Sequence, residues 1–244
     1  DCRLENIYKE IYSNEKIRNI LTFIISSNIN GYKYFYYLEK LYSFDPNYLI
    51  DLKLDVALSN CTDEERILAY RLFLNLDDKF LNLTINSIFH FNYGDNNISL
   101  ELKEFLEGIF QHYNEFIDYS EFNIVYLINK ILKQENNYDF AILIYRNIVS
   151  KFNWEFNTYS HDLKSIFNVL ISKYFKSIWP ILSDDLLGIE ENYIKYYKLK
   201  DLIGFEMSFQ HSNGILFHGD IEAIFKWASE NGDLAKERII SFIP

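Results

Sequence analysis

Residues 99–113 read SLELKEFLEGIFQHY, and this stretch decides the fold class. Leu102, Phe105, Leu106, Ile109, Phe110 and Tyr113 recur at the three- and four-residue spacing of one helix face, with Glu101, Lys103, Glu104 and Glu107 between them. Ser99 stands just ahead, where a hydroxyl can accept from a free backbone N–H of the first turn. Such a helix cannot hide its own apolar stripe and needs a neighbour.

The same pattern continues in both directions. Downstream, Ser120 is expected to cap a helix carrying Ile124, Leu127, Ile128, Ile131 and Leu132. A helix over 138–152 follows with Ala141, Ile142, Tyr145, Ile148 and Val149. Ser160 then caps one with Ile166, Phe167, Leu170, Ile171 and Tyr174, and Trp179-Pro180 predicts a kink or a break. A helix near 191–203 ends at Gly204. Asp220 opens one holding Ile221, Ile224, Phe225 and Ala228; Gly232 closes it, and Asp233 starts a last helix with Leu234, Ile239 and Ile240. Upstream, Thr62-Asp63-Glu64-Glu65 is a capping box ahead of Ile67, Leu68, Arg71, Leu72 and Asn75, and another helix covers 78–89. Stripes at Leu4–Ile11, Ile17–Ile25 and Tyr34–Tyr42, and a helix after Asp45-Pro46 with Leu49, Leu52 and Val56, complete the series.

The reading gives about thirteen helices, which pair into units near the ~34–47 residues of helical repeats. The expected fold is all-α: one domain over 1–244, an α-solenoid of irregular HEAT- or TPR-like helical hairpins. An irregular globular bundle is the competing arrangement. One stretch departs from the helical period. Phe205, Met207 and Phe209 alternate with polar residues, and Asn213-Gly214 precedes Ile215-Leu216-Phe217, so a small β-hairpin or extended loop is expected at 205–217.

Composition agrees. Of 244 residues, 3 are Pro and 8 are Gly, fewer than turn-rich β folds use. The 20 Tyr and 21 Phe accompany many Asn, Ile and Lys, a skew expected of an AT-rich genome rather than of a function. A net charge of −11 disfavours nucleic-acid backbones and anionic membranes as partners. No run of ~18 apolar residues offers a membrane span. Cys2 and Cys61 form neither a zinc pattern nor a disulfide framework, which points to a cytoplasmic setting. The sequons at Asn60, Asn82 and Asn97 are chance matches in an Asn-rich chain. The chain starts at Asp1, as a domain cut from a longer protein would.

The search for chemistry returns little. The 8 Gly are isolated, so neither a P-loop nor a dinucleotide fingerprint occurs. His211, His218 and Asp220 lie close together, but their spacing matches no standard metal site, and Asp220 has a capping role. Ser160-His161-Asp162 is consecutive, and adjacent side chains on a helix start diverge, so it reads as a cap and not a triad. The carboxylate pairs Glu64/Glu65, Asp77/Asp78, Asp184/Asp185 and Glu190/Glu191 stand mostly at predicted helix starts, where the dipole favours them. Trp154, Trp179 and Trp227 are expected in the core, the alternative being a partner hot spot. Lys195, Lys198 and Lys200 are too few, among acids, for a basic groove.

Trp179-Pro180, Leu186-Leu187-Gly188, Leu202-Ile203-Gly204, Gly214–Phe217, a helix with Ile221, Phe225 and Trp227, and a final helix at Leu234–Ile243 resemble the C-terminal helical region of large bacterial STAND-type NTPase and defence proteins. The resemblance covers about a quarter of the chain and lacks a Pro after Glu230-Asn231. It implies a regulatory or ligand-sensing module and transfers no catalytic residue. The expectation is therefore a non-catalytic scaffold with a protein partner and no catalytic, cofactor or metal residues. An unfamiliar all-α enzyme using a carboxylate or His cluster is the alternative.

Overall fold

The computed structural model describes residues 54–59, 61–94, 97–158, 160–188, 193–204 and 214–243. These residues are mainly helical, with short 3₁₀ turns and connecting loops and no strand among them. The stripes expected before residue 54 lie outside them, as do residues 205–213 of the expected hairpin. The part of that hairpin that is described corrects the expectation: Ile215–His218 is a 3₁₀ turn. It buries Leu216 and lies against neighbouring helices, and an aromatic-rich stretch docked this way needs no strand partner. No helix among the described residues is long and apolar enough to cross a membrane.

The chain divides into two compact units, Asp1–Asn96 and Asn97–Pro244. In the first, α1 (Leu54–Ala57), α2 (Asp63–Leu76), a 3₁₀ turn (Asp78–Phe80) and α3 (Leu81–Asn92) pack together. The capping box forms as expected: Glu65 N–H donates to the Thr62 hydroxyl, and Thr62 N–H donates to the Glu65 carboxylate. The buried face of α2 differs from the expected one. Ile67 is inside, but so are Ala69, Tyr70, Phe73 and Leu74, while Leu68 and Leu72 are exposed. The two rings rotate the helix: Phe73 meets Phe80 edge-on at 5.6 Å, and Tyr70 shares a 3.0 Å hydrogen bond with Ser87.

The second unit holds α4 (Leu100–His112), α5 (Phe122–Lys133), α6 (Tyr138–Ser150), α7 (His161–Leu187), α8 (Tyr193–Ile203), α9 (Ile221–Glu230) and α10 (Gly232–Ile240). Ser99, Ser160 and Asp220 cap α4, α7 and α9 as expected. Ser120 does not cap α5. Its N–H and hydroxyl both donate to Asp118 Oδ1, closing a tight turn, and α5 starts after Glu121. The expected stripe of α4 is buried from Leu102 to Phe110, and that of α5 is buried throughout. Helix α7 runs through Pro180 for 27 residues, and its irregular residue is Tyr174, with φ −114° and ψ 17°. It ends at Gly188, whose φ of +54° suits a residue without Cβ.

Polar contacts between elements of this unit recur at similar sequence separations. Asn114–Ser150 and Asn129–Ser165 each span 36 residues. Asn147 reaches the Phe110 carbonyl across 37, Tyr145 reaches Asp185 across 40, and Tyr196 reaches Ser241 across 45. Three lysines repeat one device. Lys151 donates to the Glu115 and Ile117 carbonyls, Lys173 to those of Leu132, Lys133 and Gln134, and Lys198 to those of Trp154 and Phe156. Each ties down carbonyls about one hairpin back, where a helix end or loop leaves acceptors unpaired.

Candidate functional site

Most of the described residues that the sequence put forward serve as helix caps or local ties. His218 Nδ1 lies 2.7 Å from Asn168 Oδ1, Asp220 accepts from Ala223 N–H, and His211 lies outside the described residues. No cluster of three metal-binding side chains occurs among the described residues. Ser160 accepts from Leu163 N–H at the start of α7. Glu65 and Asp77 cap helical segments, and Asp77 also pairs with Lys79 at 3.3 Å. Glu190 and Glu191 lie outside the described residues, as does Cys2; Cys61 is a buried free thiol.

Asp185 behaves differently from the other paired acids. It stands near the C-terminal end of α7, 7% exposed. Tyr145 from α6 donates to its Oδ2 at 2.9 Å, and Lys195 from α8 to its Oδ1 at 3.0 Å. Burial, and then the Asp185 charge, hold the Tyr145 phenol well above the ordinary tyrosine range. The carboxylate thus joins three helices. Its two donors satisfy it, so the group reads as a buried tie and not as a reactive acid.

The second grouping lies on the surface. Trp154, Trp179 and Trp227 were all expected in the core. Trp179 stacks on Phe175 at 5.0 Å and meets Trp227 edge-on at 5.6 Å, but both indoles are only half-buried. Trp154 is 67% exposed, which corrects that expectation. It occupies the loop between α6 and α7, which is held by hydrogen bonds from Glu155 and Phe156 N–H to Asn153 Oδ1 and by the Lys198 ammonium. From Trp154 the rings continue without a gap. Tyr197 lies 6.5 Å away, Tyr193 meets Tyr197 edge-on at 4.6 Å, and Arg238 rests 3.7 Å from the Tyr196 ring and 5.4 Å from that of Tyr193. Tyr193 is 41% exposed and Tyr197 39%.

Polar groups accompany the rings. Tyr193 O–H donates to the Tyr197 oxygen at 2.8 Å. Arg238 Nε is buried without an acceptor. Tyr193 and Tyr197 lie one turn apart on α8, a spacing visible in the sequence, but their exposure and the approach of Trp154 and Arg238 are tertiary. Of the three lysines weighed as a basic face, Lys195 is engaged by Asp185 and Lys198 by two carbonyls. Comparison with protein families, with curated proteins and with solved structures returns no match to this chain.

Proposed function

We propose that this chain is a non-catalytic protein-interaction scaffold, an α-solenoid of helical hairpins serving a larger cytoplasmic protein. The observation that carries the reading is the recurrence of inter-element contacts at separations from 36 to 45 residues in the second unit. Stacked hairpins place each helix beside its counterpart in the next repeat, and that range matches the ~34–47 residues of such repeats. A solenoid presents a long continuous surface, and Trp154, Tyr193 and Tyr197 give that surface exposed aromatics of the kind that anchor protein partners. The resemblance of the last quarter to STAND-type C-terminal regions supports the same role, a regulatory or sensing module. The net charge of −11 and the internal engagement of Lys195 and Lys198 favour a protein partner over nucleic acid or an anionic membrane.

Quantitative cross-linking and pull-down of the full-length protein, with and without this chain, tests the assignment. The expected result is loss of specific partners when the chain is removed. An unchanged partner set would count against the scaffold role.

A further inference from the structure

We propose that the strip formed by Trp154, Tyr193, Tyr197 and Arg238 docks an acidic peptide segment of a protein partner; this deepens the scaffold reading above and rests on it. The rings supply apolar area: three exposed aromatics in one continuous chain of contacts, from the α6–α7 loop across α8 to Arg238 on α10. Their side chains carry few rotatable bonds and brace one another, so little freedom is lost when a partner covers them.

The polar groups select the partner. Arg238 lies on two tyrosine rings, and among the described residues no carboxylate pairs with it. The Tyr193 and Tyr197 hydroxyls share one hydrogen bond, so one O–H of the pair has no acceptor among the described residues. Both groups are donors, and both lack the acceptor a carboxylate would supply, the guanidinium by a two-point contact. Lys198 adds a second positive charge whose contacts are backbone carbonyls rather than an acid.

The acids nearest in sequence are Glu155, Glu191 and Glu237, with Asp201 one turn beyond Tyr197. Asp201 accepts from Thr158 at 3.3 Å, and its charge acts on Lys164. A basic peptide would place its charges against Arg238 and Lys198. A nucleic acid would also satisfy rings and guanidinium, but it carries a dense negative charge toward a chain of net charge −11. An acidic peptide needs one carboxylate at Arg238 and a bulky apolar residue on Trp154.

The test uses the full chain and fluorescence anisotropy with three short labelled peptides: alternating Asp and Phe, alternating Asn and Phe, and alternating Lys and Phe. A single-stranded oligothymidylate is the fourth probe. The Asp-and-Phe peptide should bind, the Asn-and-Phe peptide roughly tenfold more weakly, and the other two more weakly still. Trp154→Ala, Tyr197→Phe and Arg238→Gln should each weaken the first peptide several-fold to tenfold. Trp154→Ala and Tyr197→Phe alter exposed side chains and should leave helicity and the urea midpoint unchanged, so they carry the test if Arg238→Gln perturbs folding. No binding of the Asp-and-Phe peptide overturns the proposal. So does equal binding of its Asn counterpart, preference for the basic peptide or the oligonucleotide, or wild-type affinity in both surface variants. If removing the whole chain changes the partner set while Trp154→Ala with Tyr197→Phe does not, the strip is wrong and the scaffold stands.

Discussion

Helix α7 and the terminal pair α9–α10 draw on similar apolar residues but bury them differently. In α7, Leu163, Ile166, Phe167, Leu170, Ile171, Ile178, Leu182 and Leu186 are all withdrawn from solvent. In α9, Ile224 and Ala228 are inside while Ile221 and Phe225 are out; in α10, Ala235 and Ile239 are inside while Leu234 and Ile240 are out. The difference lies in the number of neighbours. Helix α7 packs against α5, α6, α8, α10 and the Ile215–His218 turn, whereas α9 has its main partner in α10. An apolar residue is buried when a second element covers its side of the helix, whatever its own hydrophobicity.

The largest effect expected from this contrast is alkaline. Burial raises the Tyr70, Tyr119 and Tyr145 phenols above their ordinary value of 10.0, and none of the three lies in α9 or α10. A raised folded-state pKa gives stability that is complete below the unfolded value and lost as pH rises toward the folded one. Urea midpoints should therefore hold steady up to pH ~10 and fall beyond it. Parallel titration of phenolate absorbance and helicity checks this. Ionisation of all 20 tyrosines, buried ones included, before loss of helicity would show that the three are not sealed.

Leu170→Ala in α7 should cost about 3 kcal/mol, because the packed neighbours cannot close the cavity. Gly219→Ala should cost about 2 kcal/mol: Gly219 has no Cβ, and one placed there would run into the Phe175 ring. Urea denaturation reads both, and a neutral result for either would mean that the faces of α7 are less constrained than their burial implies. Lys195→Gln should cost roughly 1–2 kcal/mol by leaving Asp185 buried with Tyr145 alone. Phe225→Ala should cost under about 1 kcal/mol. A loss matching that of Leu170→Ala would erase the contrast between the two regions.

Several features were legible because they are local. The Thr62 capping box, the Ser99, Ser160 and Asp220 caps and the stripes of α4 and α5 depend on residues a turn or two apart. Other features depended on competitors elsewhere. Ser120 lost its capping role because its N–H and hydroxyl donate to Asp118, two residues back, and the turn this closes makes the helix start one residue later, after Glu121. Leu68 and Leu72 fit a stripe as well as Tyr70 and Phe73 do, and only the meeting with Phe80 and Ser87 chose between them. The buried asparagines gave no sequence signal, yet Asn137 and Asn147 donate to the Ile131 and Phe110 carbonyls.

The candidate site was less legible than the fold. Trp154 reads as core by size and hydrophobicity; its exposure follows from a loop held by Asn153 and Lys198. Asp185 reads as one of four acidic pairs, and only the approach of α6 and α8 makes it a tie.

The sequence by itself determined that these elements are helices, and where most begin, because period and caps act over a single turn. Tertiary structure alone decided which face of each helix turned inward and which aromatic rings met on the surface. Those outcomes depend on which neighbour covers a residue, and contacts spanning some 36 to 45 residues leave no imprint on local spacing.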